Sequence, residues 1–337
     1  ILTRRENLMG MDQPAKSRVI LRGTRDNGVA AAVRGCMEFC EWRRWVPRNA
    51  TVVLKPNLCT AIAEQIESSN TKLAVTEAVC EVLLEQTNRI SVVEADHIRQ
   101  TTEHVYHATG YNALEKKYGI SLVNLSKTPV VECKCDPIGE IALPRMLLEC
   151  DAFISIPVLK THALTYFTGV LKNQWGCVPM AWDRIQHHGA IDQMLCSLHR
   201  LLHPHFSIMD ATVCMEGRGP VAGKARQLDV ILASQDGVAL DTTCMRLVGL
   251  EPRLSKHIVF AAKHGLGNIE AKDIEVDGDW QRYATRFEPP PKDRLNTLMF
   301  KLTKYRWFTK YILGNDVVYY PVRSMVKFLR RVGLVNG

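Results

Sequence analysis

Residues 51–57 read TVVLKPN, a β-branched run that stops at a turn-like Lys-Pro-Asn sequence. Similar apolar runs recur as ISVV at 90–93 and AFISI at 152–156, and such runs are typical of buried strands. Between the first two runs, residues 71–85 place apolar side chains at helical spacing. A second helix is expected over 102–118, with a break near Gly110. This alternation of strand and helix predicts an α/β fold with a mostly parallel, Rossmann-like sheet.

Outward from this centre, the pattern predicts two lobes and a tail. A larger α/β lobe is expected over 17–205 and a smaller α/β lobe over 206–287. The Glu-Pro-Pro-Pro sequence at 288–291 breaks regular structure. A basic amphipathic helical tail is expected over 292–337.

The net charge of +8 is located in this tail. Residues 292–337 contain ten Lys or Arg and two Asp, which leaves 33 basic and 33 acidic residues in 1–291. A charge-balanced body is not typical of a nucleic-acid-binding surface, so no nucleic-acid partner is expected. Basic amphipathic helices with aromatic residues can lie on anionic membranes, or they can pack on the body or on a second subunit of a homo-oligomer.

Eleven cysteines lie mostly inside helical or strand-like patterns, as small buried hydrophobic residues do. No paired cysteine spacing of the iron–sulfur or zinc type is present, so no iron–sulfur cluster is expected. Reduced thiols favour a cytoplasmic location, with possible contact at a membrane surface through the tail. The sequence contains no run of about 18 apolar residues, so no transmembrane helix is expected.

Ligands of parallel α/β folds gather outside the carboxyl ends of the strands. Three such ends carry polar groups, at 55–57, 94–97 and 157–176. The last is the richest in cations and hydroxyl groups, which suit an anionic substrate or a nucleotide-like cofactor. The candidate anion-binding residues are Lys55, Asn57, Lys160, Thr168, Lys172 and Asn173.

Acidic residues of the second half are alternative candidates for the same cleft. They are Asp210, Glu216, Asp236 and Asp241. Asp236 precedes a predicted helix that begins at Gly237, so it is better explained as a helix N-cap.

Several longer segments carry a resemblance to a known family. They are KPN at 55–57, GY at 110–111, IPVLKTHALTYFTGVLKNQWGCVP at 156–179, MDATVCMEGRGPVAG at 209–223, ASQDGVALD at 233–241 and GLG at 265–267. Over roughly residues 50–280, the chain resembles the domain-of-unknown-function 362 family.

A more distant similarity is to the nickel-pincer lactate racemases. His162, Lys172 and His188 fall at spacings similar to those of the racemases, and His97 follows the preceding strand. The resemblance implies a lactate-racemase-like fold and a pair of proton-transfer groups at His97 and His162. It also implies that Lys172 anchors a nickel-pincer-type nucleotide and that His188 is a metal ligand.

Two functional hypotheses follow. The first is an enzyme of the isomerase, racemase or oxidoreductase type, with an anionic small molecule bound between the lobes and His97 and His162 as acid–base groups. The second is a membrane-surface or partner-binding protein that acts through 292–337. The substrate, the cofactor and the reaction direction stay open.

Overall fold

The computed structural model describes residues 16–98 and 100–291 of the 337-residue chain. It also describes residues 302, 303, 305–308, 311, 312, 317, 318, 321, 324 and 325. Most of the predicted tail over 292–337 therefore lies outside the described residues. No helix in the described part of the chain is long and apolar enough to span a bilayer.

Twelve strands are described. They are β1 (Ser17–Gly23), β2 (Val52–Pro56), β3 (Ile90–Glu94), β4 (Ser121–Asn124), β5 (Val130–Cys135), β6 (Gly139–Pro144), β7 (Ala152–Ile156), β8 (Val158–His162), β9 (Tyr166–Thr168), β10 (Phe206–Glu216), β11 (Lys224–Ser234) and β12 (Ile274–Asp277).

The described helices alternate with these strands. They are α1 (Gly28–Phe39), α2 (Trp42–Trp45), α3 (Ala63–Ser69), α4 (Leu73–Leu83), α5 (Thr102–Ala108), α6 (Asn112–Tyr118), α7 (Arg145–Glu149), α8 (Val170–Asn173), α9 (Ala181–Gln186), α10 (Ile191–Leu202), α11 (Gly237–Leu247), α12 (Lys256–Lys263), α13 (Trp280–Tyr283) and α14 (Arg306–Phe308).

Ten of the strands form one mostly parallel sheet, which confirms the predicted α/β class. Its order is β12-β1-β11-β10-β7-β2-β3-β4, and β8 and β9 extend it beside β10. Strand β11 runs antiparallel to both β1 and β10, and β8 runs antiparallel to β9. Strands β5 and β6 form a separate hairpin. The sheet runs through both predicted lobes, and the division at residue 205 stays a prediction.

Helices cover both faces of the sheet. Successive side chains of a strand point to opposite faces, so both sets are buried. In β2, Val52 and Leu54 pack in a cluster with α1, α4, α5 and α6. Val53 packs on the opposite face with α10 and the β5–β6 hairpin. In β11, Leu232 packs beside α11 and α12 on that same opposite face. The result is a three-layer arrangement of helices, sheet and helices.

Predicted elements near the centre agree with the observed ones. The predicted strand at 152–156 is β7, and the predicted helix over 102–118 is divided into α5 and α6. Gly110 lies between the two helices with φ of 76°, a left-handed conformation that glycine adopts without steric cost.

The direction in which successive strands are added to the sheet reverses at β2. The chain passes from β2 to β3 and β4 on one side, then returns to place β7 on the other side of β2. Both neighbours are parallel to β2. The crevice outside the carboxyl ends at such a switch point is where open α/β sheets bind ligands.

Candidate functional site

The short helix α8 is tied to the switch point between β2 and β7. The Asn173 side-chain amide donates to the Lys55 carbonyl over 2.8 Å and to the Ser155 hydroxyl over 3.0 Å. Lys55 belongs to β2 and Ser155 to β7, where the two residues are register partners. Asn173 therefore acts as a bridge between elements, and its neighbour Lys172 is held near the strand ends.

Lys55 lies at this edge of the sheet, and its positive charge is balanced by a carboxylate. Its Nζ is 2.7 Å from Glu94 Oε2, and both side chains are buried. Glu94 ends β3 and also accepts the Leu58 amide hydrogen over 3.0 Å. The backbone at Gly176 packs closely against this pair. A Cβ at Gly176 would lie only 2.5 Å from Glu94 Oε1.

Lys160 is also buried, but its hydrogen-bond partners differ from those of Lys55. Only 1% of it is exposed, and its Nζ donates to Asn57 Oδ1 over 2.8 Å, to the Ser69 carbonyl over 2.6 Å and to Cys59 Sγ over 3.2 Å. None of the three acceptors is a carboxylate, and no carboxylate lies within ion-pair distance in the part of the chain described. A buried charge without a counter-charge costs several kcal/mol, of order 3–5.

Thr168 is the register partner of Lys160 in the β8–β9 ladder. Its hydroxyl oxygen is buried and has no hydrogen-bond partner among the described residues. Buried polar atoms are almost always hydrogen-bonded, so this hydroxyl is a candidate contact for a ligand.

Lys172 is the second cation with no carboxylate partner. Burial, together with the positive charges of Lys160 and Arg184, lowers the pKa of Lys172 to about 7. Its Nζ lies 5.7 Å from the centre of the Trp175 ring. Near neutral pH this amine is therefore divided between its charged and neutral forms.

Asp241 holds the helix that carries Lys172. Its carboxylate accepts the amide hydrogens of Val170 over 2.7 Å and Leu171 over 3.1 Å, at the start of α8. A Cβ at Gly169 would lie 2.0 Å from Asp241 Oδ1, so the close approach requires glycine. Burial raises the pKa of Asp241 to about 7. Asp241 thus acts on the site through α8.

The other acidic candidates have structural partners. Asp236 accepts the amide hydrogens of Val238 and Ala239, which confirms the predicted N-cap. Asp210 accepts the Lys72 amide hydrogen over 2.8 Å, and Glu216 forms an ion pair with Arg226.

His162 ends β8 with a defined protonation. Its Nδ1 accepts the amide hydrogens of Leu164 over 3.1 Å and Thr165 over 3.3 Å. Burial and the nearby Lys172 charge lower the pKa of His162 well below its usual range. The neutral ring therefore carries its hydrogen on Nε2, and His162 is a hydrogen-bond donor.

His97 lies on the loop after β3. Its Nε2 is 3.0 Å from the Leu58 carbonyl, which can only accept, so Nε2 carries the hydrogen and Nδ1 is the basic nitrogen. Burial lowers the pKa of His97. No hydrogen bond or ring contact joins His97 to His162 among the described residues, so their pairing stays a prediction.

His188 and Lys172 both lie beside Trp175. The His188 ring centre is 5.7 Å from that of Trp175, and its Nδ1 donates to the Ile185 carbonyl over 3.1 Å. Burial and the Lys172 charge lower the pKa of His188 to about 4. Within residues 16–98 and 100–291, no group of three or more His, Cys, Asp or Glu is placed to hold a metal ion. The predicted role of His188 as a metal ligand stays a prediction.

Sequence reasoning missed two members of the site. Arg184 is buried and donates to the carbonyls of Val178 and Asp96. Cys59 lies against Lys160, and it is partly exposed, whereas the other ten cysteines are buried. Its position four residues after Lys55 was the available signal.

These features define a class of protein: a doubly wound α/β protein with clustered cations at its switch point. The family model for the domain of unknown function DUF362 matches residues 52–246, more than half of the chain. The protein therefore belongs to the DUF362 family, as the sequence segments suggested.

The chain is similar to the thylakoid-associated protein sll1697 of Synechocystis sp., with 27% identity over 234 residues. The match covers 66% of this chain and 70% of the relative.

Two solved structures are also similar. The lactate racemase apoprotein from Thermoanaerobacterium thermosaccharolyticum is 10% identical, with a TM-score of 0.47, and the match covers 71% of this chain and 60% of that one. A Thermotoga maritima protein is 14% identical, with a TM-score of 0.36, and the match covers 70% and 59%. A lactate racemase is thus among the similar structures, as the distant sequence similarity predicted.

Proposed function

We propose that this DUF362 protein is an enzyme that binds a small anionic molecule beside Lys160, Lys172 and His162 and transfers a proton or a hydride on it. The supporting observation is the buried Lys160 ammonium, whose three hydrogen-bond acceptors include no carboxylate. A carboxylate or phosphate oxygen would supply the missing counter-charge. Lys55 would act mainly by holding Glu94, since that pair is already neutral.

The geometry favours different roles for the two kinds of side chain. His162 would donate from Nε2 to a substrate oxygen and so stabilise negative charge that develops there. Lys172, with a pKa of about 7, has a neutral fraction that can accept a proton near neutral pH. The Nδ1 atom of His97 is the second candidate proton acceptor.

A nickel-pincer nucleotide remains a proposal that rests on the sequence resemblance. The residues are compatible with one, because a partly neutral Lys172 amine can be acylated and the His188 ring lies on the same Trp175. When bound, such a group would supply hydride transfer. Intact-mass measurement and nickel analysis of protein from its native host test this part separately.

The enzyme proposal is tested by binding and by exchange. Small carboxylates and phosphate esters are screened for a rise in Tm, and the best of them is incubated with the protein in D₂O. We expect Lys160→Met to abolish the Tm shift, whereas Lys263→Met, a cation on exposed α12 surface, leaves it intact. Deuterium uptake next to the anionic group should be lost in His162→Ala. Equal ligand shifts in the wild type and Lys160→Met would contradict the proposed site.

The second candidate function is contact with a membrane surface through 292–337. Two observations favour it: the similar Synechocystis protein is described as thylakoid-associated, and the tail residues Tyr305, Trp307 and Tyr311 are each 45–58% exposed. A cytoplasmic location and a homo-oligomer through the tail also stay predictions.

Sedimentation with vesicles that contain anionic lipid tests this candidate. Binding should be lost from a chain that ends at residue 291, while the anion-dependent Tm shift is retained. Equal sedimentation of both chains would exclude the tail as the membrane contact.

A further inference from the structure

Two loops and helix α9 meet beside the cations of the candidate site. The loop after β2 and the loop after β3 are joined by the hydrogen bond from His97 Nε2 to the Leu58 carbonyl, and by another from the Ala61 amide to the Gln100 side chain over 3.0 Å. Helix α9 joins them, because its residue Arg184 donates to the Asp96 carbonyl. The two loops and α9 therefore form one surface.

This surface carries an unusual concentration of exposed apolar side chains. Ile62 is 44% exposed, Ile98 46%, Met180 49% and Trp182 38%, and together we call them the apolar rim. In the described residues of 16–291, only Val130 and Leu254 are other large apolar side chains with comparable exposure. Clustered exposed apolar groups on soluble surfaces commonly mark binding sites.

The apolar rim and the anion site share the loop after β2 and helix α9. Asn57 and Cys59, which contact Lys160, lie just before Ile62. Arg184, whose charge acts on Lys172, lies just after Trp182. Buried cations and an exposed apolar margin therefore lie next to each other on one edge of the sheet.

We propose that the substrate is an anionic amphiphile, with its charged head at Lys160 and Lys172 and an apolar chain along the apolar rim. This inference rests on the proposed anion site and adds the substrate class. The size of the rim fits a single chain, because a stable protein partner covers about 800 Å² and 20–30 residues on each side. Four side chains are far fewer than such an interface requires.

The test compares acetate with octanoate by titration calorimetry, with both below any micellar concentration. Each methylene group removed from water contributes roughly a fourfold gain in affinity. With part of the chain in contact with the rim, we expect octanoate to bind the wild type at least about 30-fold more tightly than acetate. The Ile98→Ser/Trp182→Ser variant should reduce this ratio to about threefold or less, with acetate affinity unchanged.

A matched control is the Val130→Ser/Leu254→Ser variant, which removes equally exposed apolar groups elsewhere and should keep the wild-type ratio. Equal affinity of acetate and octanoate, with both weakened by Lys160→Met, would overturn the amphiphile inference and keep the anion site. Equal binding of the two ligands to the wild type and to Lys160→Met would overturn both the amphiphile inference and the anion site. Capture of the protein by phosphatidylglycerol vesicles through the rim, without competition from octanoate, would also overturn the inference in favour of a bilayer contact.

Discussion

Lys55 and Lys160 are both about 1% exposed at the same edge of the sheet, yet their surroundings differ. Lys55 forms an ion pair with Glu94, whereas Lys160 donates only to an amide, a carbonyl and a thiol. The first arrangement is complete without a ligand, and the second has a charge that an anion would balance. The comparison separates the structural part of the site from the part proposed to bind substrate.

The largest effect is expected from Glu94→Gln, which leaves the Lys55 ammonium buried without its counter-charge. Loss of one partner of a buried pair destabilises proteins by about 3–5 kcal/mol. Urea denaturation measures the change in the free energy of unfolding. Glu41→Gln, at an exposed pair with Arg44, is the control and should change stability by less than about 1 kcal/mol. Similar small losses in both variants would remove the distinction between the two lysines.

The next effect concerns the pH dependence contributed by Lys172. Its folded pKa of about 7 lies below the unfolded value of 10.5, so between these values the unfolded chain binds more protons. The contribution of Lys172 to stability therefore rises as pH increases from about 7 to 10.5. Lys172→Met should lack this rise, which is on the order of 3 kcal/mol. Denaturation curves of both proteins at pH 7, 8.5 and 10 provide the measurement, and parallel pH profiles would contradict the shifted pKa.

A smaller effect of opposite sign is expected from Lys160→Met. The substitution removes a buried charge that has no counter-charge and keeps a side chain of similar length, so we expect no loss of stability. Lys55→Met should instead destabilise the protein, because Glu94 then remains buried without its partner. Thermal denaturation of the two variants side by side tests this difference in sign. Marked destabilisation in both would show that Lys160 is also part of a structural pair.

The smallest effect on stability is expected from Cys59→Ser, below about 0.5 kcal/mol, since Cys59 is partly exposed. Native-state alkylation with iodoacetamide should nevertheless modify Cys59 alone, because the other ten cysteines are buried. An anion bound at Lys160 should slow that labelling, as Sγ lies 3.2 Å from Nζ. Peptide mass spectrometry identifies the labelled residue, and labelling spread over several cysteines would disagree with this packing.

Much of the central fold could be predicted, because a strand buried on both faces appears as a continuous apolar run. The predicted strand over 152–156 is the observed β7, and the break near Gly110 is present. The β5–β6 hairpin was missed. The hairpin combines charged with apolar residues, so its sequence gives only a weak strand pattern. Its packing in the core depends on contacts with distant residues.

The candidate site was predicted in part. Asn57, Lys160 and Asn173 lie together at the strand ends, and Lys172 follows on the helix that Asn173 anchors. The protonated nitrogen of His162 could not be predicted, since it depends on two backbone amides in a turn. Arg184 was missed because its contact with Asp96 spans 88 residues of chain.

The sequence by itself determined the alternation of strand and helix, the family, and the chemical groups that follow the central strands. These properties depend on local periodicity and on residue type. Tertiary structure alone decided which lysine meets a carboxylate, because Lys55 and Glu94 are 39 residues apart and Lys160 and Asn57 are 103 apart. Electrostatic compensation depends on distances of a few ångströms, and only the order and register of the strands set those distances.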